Sequence, residues 1–217
     1  MIEEVIFRYG LLILFLLFMG IRGYYGSKAT PIGQKRTRKE RWADQVKYES
    51  RLLVILRILL VYAMIVFVLV WSLTPFLLHP LMQLIIPSWM RWFGVIMCIL
   101  MIFAITWVGI HLGRQVSGTL EIKEGHTLVT SGPYKYIRHP MYLVYFIFNL
   151  GLLLITINLI ALVIILLGLI VIASRMSVEE QMMIDQFGEE YQEYMHHTGR
   201  FFPPIRRKRK DGASNEK

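Results

Sequence analysis

The chain has 217 residues, 55% of them hydrophobic, with a mean hydropathy of +0.50 and a net charge of +9. Apolar runs of membrane-spanning length recur, which excludes a soluble domain and indicates a polytopic membrane protein. The lone cysteine, Cys98, sits inside an apolar run, which rules out a disulfide framework or a thiolate metal cluster. The basic residues flank the apolar runs, as topogenic signals and lipid-headgroup contacts do, so nucleic acid is not the indicated partner.

The first predicted span covers residues 5–21, with Arg8 near its start able to snorkel. Glu3 and Glu4 precede it and no small-residue cleavage site follows, so it reads as a retained helix and not a signal peptide. A linker over 22–51 carries nine Lys/Arg, an excess that marks the cytoplasmic side. The second span, 52–73, ends at Thr74-Pro75, and an uncharged loop with Trp71, Trp89 and Trp92 around it reads as an interfacial belt. The third span, 90–112, returns the chain to the cytoplasmic side.

A polar, turn-rich segment then separates long apolar runs. Residues 125–142 read Gly-His-Thr-Leu-Val-Thr-Ser-Gly-Pro-Tyr-Lys-Tyr-Ile-Arg-His-Pro-Met-Tyr. Gly132-Pro133 is a turn pair. Pro140 has its φ fixed and no N–H to donate, so it suits the first position of a helix, with His139 held outside in extended geometry. The free amides of that helix start, beside Arg138 and His139, form a candidate anion site.

Residues 141–174 decide the architecture. As one helix these 34 residues would run about 51 Å, far beyond a hydrocarbon core of about 30 Å. Thr156-Ile157-Asn158 at the midpoint supplies polar, turn-tolerant residues. The expectation is a hairpin of two short helices, 141–155 and 159–173, giving five spans in all. The three long cytoplasmic segments then hold nine, four and eight Lys/Arg, 21 of the chain's 24, with the N-terminus outside and the C-terminus cytoplasmic. Residues 176–195 follow as an amphipathic helix on the three- and four-residue recurrence of Val178, Met182, Met183, Phe187, Tyr191, Tyr194 and Met195. Gly188 marks a break or a close approach within it. The resulting division is an N-terminal three-helix region over 1–112, a core over 113–204 and a disordered basic tail over 205–217.

This hairpin places two polar clusters at one water-facing rim. One holds His126, Tyr134, Arg138, His139 and Tyr142; the other holds Arg175, Glu179 and Glu180, with Arg175 and Glu179 four apart on one helical face. Taken singly, such residues read equally well as interfacial anchors; together they suggest a site.

The motifs His126-Thr127-Leu128-Val129-Thr130-Ser131-Gly132-Pro133-Tyr134, Arg138-His139-Pro140-Met141-Tyr142, Glu179-Glu180 and Phe187-Gly188-Glu189-Glu190-Tyr191 resemble those of the isoprenylcysteine carboxyl methyltransferase family. The likeness covers roughly 109–204, and membrane phospholipid N-methyltransferases share its weaker outline. It implies an S-adenosylmethionine-dependent methyltransferase in the cell membrane of a prokaryote or the endoplasmic reticulum of a eukaryote. By the same resemblance His126, Leu128, Val129, Tyr134, His139, Pro140, Tyr142 and Glu180 hold the cofactor, and Arg175 orients the acceptor. The residues agree chemically. Arg138 and the Pro140 helix start suit the cofactor's carboxylate, Glu180 its amine, and Tyr134 or Tyr142 an aromatic face for the sulfonium or adenine. The acceptor is a lipophilic small molecule or a prenylated substrate taken from among the membrane lipids. A carboxylate acceptor needs no base; an amine would need one, and Glu179 is nearest. An NADPH-dependent membrane sterol or fatty-chain reductase shares an Arg-His-Pro-x-Tyr run and is the alternative of another class, and a non-catalytic membrane scaffold is a third. No Gly-x-Gly occurs, and His111, His126 and His139 lack a metal-ligand spacing, so neither a Rossmann enzyme nor a metal site is indicated.

Overall fold

In a computed structural model that describes residues 2–28, 49–74, 86–113 and 128–204, every regular element is helical. The chain runs through α1 (Ile2–Lys28), α2 (Arg51–Leu73), α3 (Ser88–Leu112), a 3-10 turn (Gly132–Lys135), α4 (Pro140–Thr156), α5 (Leu159–Phe187) and α6 (Glu189–His197). Helices α1, α2, α3 and α5 are long and apolar enough to cross a membrane; α4 is apolar but shorter, at 17 residues. Leu52, Phe103 and Ile170 are 74%, 67% and 66% exposed. Such outward-facing apolar side chains suit lipid as the surrounding solvent.

Local chemistry sets the helix starts. The Ser50 hydroxyl accepts from Leu53 N at 3.3 Å to open α2, and Pro140 opens α4 with His139 outside at φ −120°. Helices α3 and α4 pack most intimately, because two glycines let their backbones meet. A Cβ on Gly94 would lie 2.6 Å from Gly151 O, and one on Gly151 would lie 2.8 Å from Gly94 O. This is the small-residue contact that brings helices together where water exclusion is no driving force. Phe18 of α1 stacks on Phe148 of α4 with centroids 3.9 Å apart, while α2 packs on α1 and α5.

Three differences from the sequence expectation follow from the structure. Helix α1 runs on to Lys28, so the linker begins later than residue 22; Arg22, inside the helix, donates from Nε to Tyr145 OH at 2.8 Å. The two arms after residue 140 are unequal. Helix α5 continues without interruption through Arg175 to Phe187, so 176–187 is its extension and not a separate amphipathic helix. Nothing between Ala173 and Phe187 breaks a helix; Gly188, at φ +55°, ends it, and only Glu189–His197 forms a separate element. At the chain reversal it is Ile157, not Asn158, that takes the left-handed conformation (φ +48°). Asn158 instead caps α5, its side-chain oxygen accepting from Ile160 N at 2.9 Å. His126, most of the basic linker and the tail lie outside the described residues.

Candidate active site

The motif segment is fixed from both sides. Gly132 has φ +59° and lies under the His111 ring at the end of α3, where any Cβ would collide with it. The positive φ favours glycine here, and any Cβ would also have to push the His111 ring aside. The following turn buries Pro133 and Tyr134, and Tyr194 OH donates to Tyr134 O at 2.7 Å. Residues 136–139 then lie alongside 199–200. Arg138 N donates to Gly199 O at 2.8 Å, and His139 N to Arg200 O at 3.1 Å. The Arg138 side chain closes the end of α6, its Nη1 donating to Met195 O at 3.0 Å and to Thr198 O.

Glu180 is the hub of this arrangement. Its buried carboxylate accepts from Arg138 Nε (3.1 Å) and Arg200 Nη2 (2.6 Å), and His139 Nε2 lies 3.1 Å from its Oε1. One residue back, about 100° round the helix, Glu179 makes a different contact. Tyr142 OH donates to Glu179 Oε2 at 2.7 Å and accepts from Arg175 Nε at 2.9 Å. A tyrosine on α4 thus bridges an arginine and a glutamate four residues apart on α5. Arg175 also lies 3.7 Å, Nη1 to Oε2, from Glu49, which precedes α2 and receives 3.1 Å from Arg57 Nη1.

Burial dominates the electrostatics. It pushes the His139 pKa below its ordinary 6.5, with the Arg138 charge acting the same way against Glu179 and Glu180. His139 is therefore neutral at pH 7. Burial also raises the Tyr134 pKa, and the Glu179 charge adds to the rise, so that phenol stays protonated. Burial likewise pushes Glu49 up, with Arg57 pulling it down.

A cavity of about 720 Å³ lies against these groups, within the usual size for a small-molecule site. Leu128, Val129, Tyr134, Arg138, His139, Pro140, Tyr142, Arg175 and Glu179 border it, so nearly all the described sequence candidates meet at one wall. Glu180 is not among the lining residues; it stands behind them. The rest of the wall is largely apolar and comes from both parts of the chain, including Phe15, Phe18 and Met19 of α1 and Met64 and Ile65 of α2. Among the described residues, no group of three or more His, Cys, Asp or Glu side chains could hold a metal ion.

Sequence reasoning missed Arg57, Glu49, Arg22 and Arg200. Arg57 carries a usable signal, since an arginine inside an apolar span must face a partner or a cavity. Glu49 and Arg200 carry none, because their partners are distant in sequence.

Comparison with known proteins places the same stretch. Residues 94–185 match the family model for the isoprenylcysteine carboxyl methyltransferase (ICMT) family, so the resemblance drawn from the motifs holds over that region. A solved structure, described as the eukaryotic intramembrane Ras methyltransferase ICMT without a monobody, matches at TM-score 0.52 and 19% identity. The match covers 90% of this chain and 68% of that one, a likeness of fold. No curated protein matches significantly. With its apolar helices and this fold, the chain is an integral, multi-pass membrane protein.

Proposed function

From the family match over 94–185, we propose that the chain is an S-adenosylmethionine-dependent carboxyl O-methyltransferase for a lipophilic, isoprenylcysteine-like acceptor. The observation that carries this reading is the Arg175–Tyr142–Glu179 bridge on the wall of an otherwise largely apolar cavity. A guanidinium and a carboxylate at one wall suit two charged reactants of opposite sign, and the apolar remainder suits a hydrocarbon chain.

The residues present fit the cofactor. Tyr134, Tyr142, Tyr191 and Tyr194 offer aromatic faces to a sulfonium or an adenine, and Glu179 offers a negative charge inside the cavity. When bound, the cofactor supplies a methyl group on a sulfonium, which is left as a neutral thioether once an acceptor oxygen takes the methyl. Arg175 holds the acceptor carboxylate and Tyr142 fixes its guanidinium, while the apolar wall excludes water. Displacement at carbon demands an in-line approach, so positioning supplies most of the rate. No proton moves, and no base is needed. Glu180 acts from behind. Its contacts to Arg138, His139 and Arg200 tie the start of α4 to α5 and to the strand-like segment after α6.

We place the reaction at the cytoplasmic rim, with α4 as a fifth crossing helix of about 26 Å and the N-terminus outside. Residues 113–204 form the transferase core, and 1–112 supply much of the acceptor wall. Tags beside Lys123 and after Lys217 should report one compartment; opposite compartments would sink this topology.

The activity test uses membranes bearing the chain, methyl-labelled S-adenosylmethionine and an N-acylated farnesylcysteine. Label should enter a lipophilic product and be released by mild base as methanol, the behaviour of an ester. Base-stable label would indicate an amine acceptor. No transfer, together with NADPH binding, would replace this function with a reductase.

A further inference from the structure

Arg175 is anchored by a carboxylate that belongs to none of the motifs. Glu49 precedes α2, and its side chain is fully buried. Its Oε2 lies 3.1 Å from Arg57 Nη1 and 3.7 Å from Arg175 Nη1, while its Oε1 is buried without a hydrogen-bond partner among the described residues. Removing a carboxylate from water costs several kcal/mol, by order of magnitude, and ion pairing repays this only where geometry is good. A half-satisfied Glu49 is therefore a poor choice for stability alone. Its placement makes sense through Arg175. Tyr142 on α4 accepts from the guanidinium's Nε, and Glu49, on the segment before α2, lies 3.7 Å from its Nη1. Two anchors on separate elements fix both the position and the rotation of a planar cation, which a single hydrogen bond does not.

We infer that Glu49 is a positioning residue for Arg175, through which the N-terminal part of the chain sets the orientation of the group that receives the acceptor. Arg57 shares the Glu49 carboxylate and offsets part of the burial that disfavours its charge. This rests on the carboxylate-transfer reading above, because it assigns Glu49 its effect through the acceptor and not through the cofactor.

The test measures ester formation on the farnesylcysteine acceptor by the full chain in nanodiscs, beside cofactor affinity and melting temperature. Glu49→Gln keeps the shape and removes the charge. It should lower kcat/KM for the acceptor about tenfold while cofactor Kd stays within about twofold and the melting temperature holds. Glu49→Asp, which keeps the charge on a shorter stem and serves if the Gln variant does not fold, should restore part of the loss. On an Arg175→Lys background, Glu49→Gln should cost less than about twofold, since a residue acting through another loses its effect when that other is changed. An equal loss in both backgrounds, an unchanged kcat/KM, or a loss that tracks cofactor affinity and melting would each overturn the inference. Ester formed by the unaltered chain but indifferent to Glu49 removes the inference alone. No ester from the unaltered chain removes the parent reading, and the inference with it.

Discussion

The two ends of the helix bundle each join glutamates to arginines, and they use them differently. At the end distant from the motif segment, Glu4 pairs with Arg91 and with Arg8. Arg91 Nε also donates to Ile155 O at 2.9 Å, satisfying a carbonyl of the last turn of α4. The Arg91 guanidinium sits 4.0 Å from the Phe7 ring centroid and that of Arg8 5.9 Å from Trp71. The described contacts there join helices, close a helix end or cover a ring. At the motif end the corresponding groups surround a cavity, and their contacts pass from α5 to α4 and to the segment before α2. An arginine or glutamate between packed helices therefore does not itself mark a functional site. What marks the second end is the open volume beside it.

Changing the guanidinium that faces this volume is the most severe test of the contrast. Arg175→Met should reduce kcat/KM for the acceptor by about a hundredfold or more, with cofactor binding retained in a calorimetric titration. Retained turnover would erase the distinction between the ends. Behind the wall, Glu180→Gln removes the buried carboxylate shared by Arg138, His139 and the half-exposed Arg200 and should cost about 2 kcal/mol of stability by denaturant titration, with cofactor affinity weakened as His139 loses a charged partner. At the distant end, Arg91→Met should cost about 2 kcal/mol and leave kcat and KM untouched; a catalytic defect there would mean the two ends communicate.

A smaller effect is expected from pH. His139 has its folded pKa depressed below 6.5, so the unfolded chain binds the proton first as pH falls. Its contribution to stability is complete above pH 6.5 and is lost as pH drops through the depressed value. Melting temperatures should fall as pH drops from 6.5 to that depressed value, and the slope should flatten in His139→Gln. The smallest change lies at the distant end. Ile157 is β-branched at φ +48°, and Ile157→Asn, which tolerates that conformation, should gain up to about 1 kcal/mol; a loss would mean that side-chain packing outweighs the strain.

Much of the site was legible because its signals are local. Pro140 can only begin a helix, which put His139 at its mouth. Gly132-Pro133 announced a turn, and apolar runs delimited α2, α3 and α4 to within a few residues. The helix break near residue 157 was also visible, though Ile157 took the left-handed conformation and Asn158, the residue that tolerates it better, became the cap. The continuity of α5 was not visible. A change from apolar to amphipathic composition at Ser174 looks like a boundary, yet the backbone meets no breaker until Gly188.

The amino-acid order by itself determined where helices start, where the chain turns and which polar residues stand near a rim. These follow from backbone stereochemistry and hydropathy acting over a few neighbours. Only the tertiary structure decided that Glu179 faces the cavity while Glu180 is consumed behind it, and that Glu49 reaches Arg175 from the far part of the chain. The role of a buried charge is set by the partners and the open space that folding brings to it, and no local pattern encodes either.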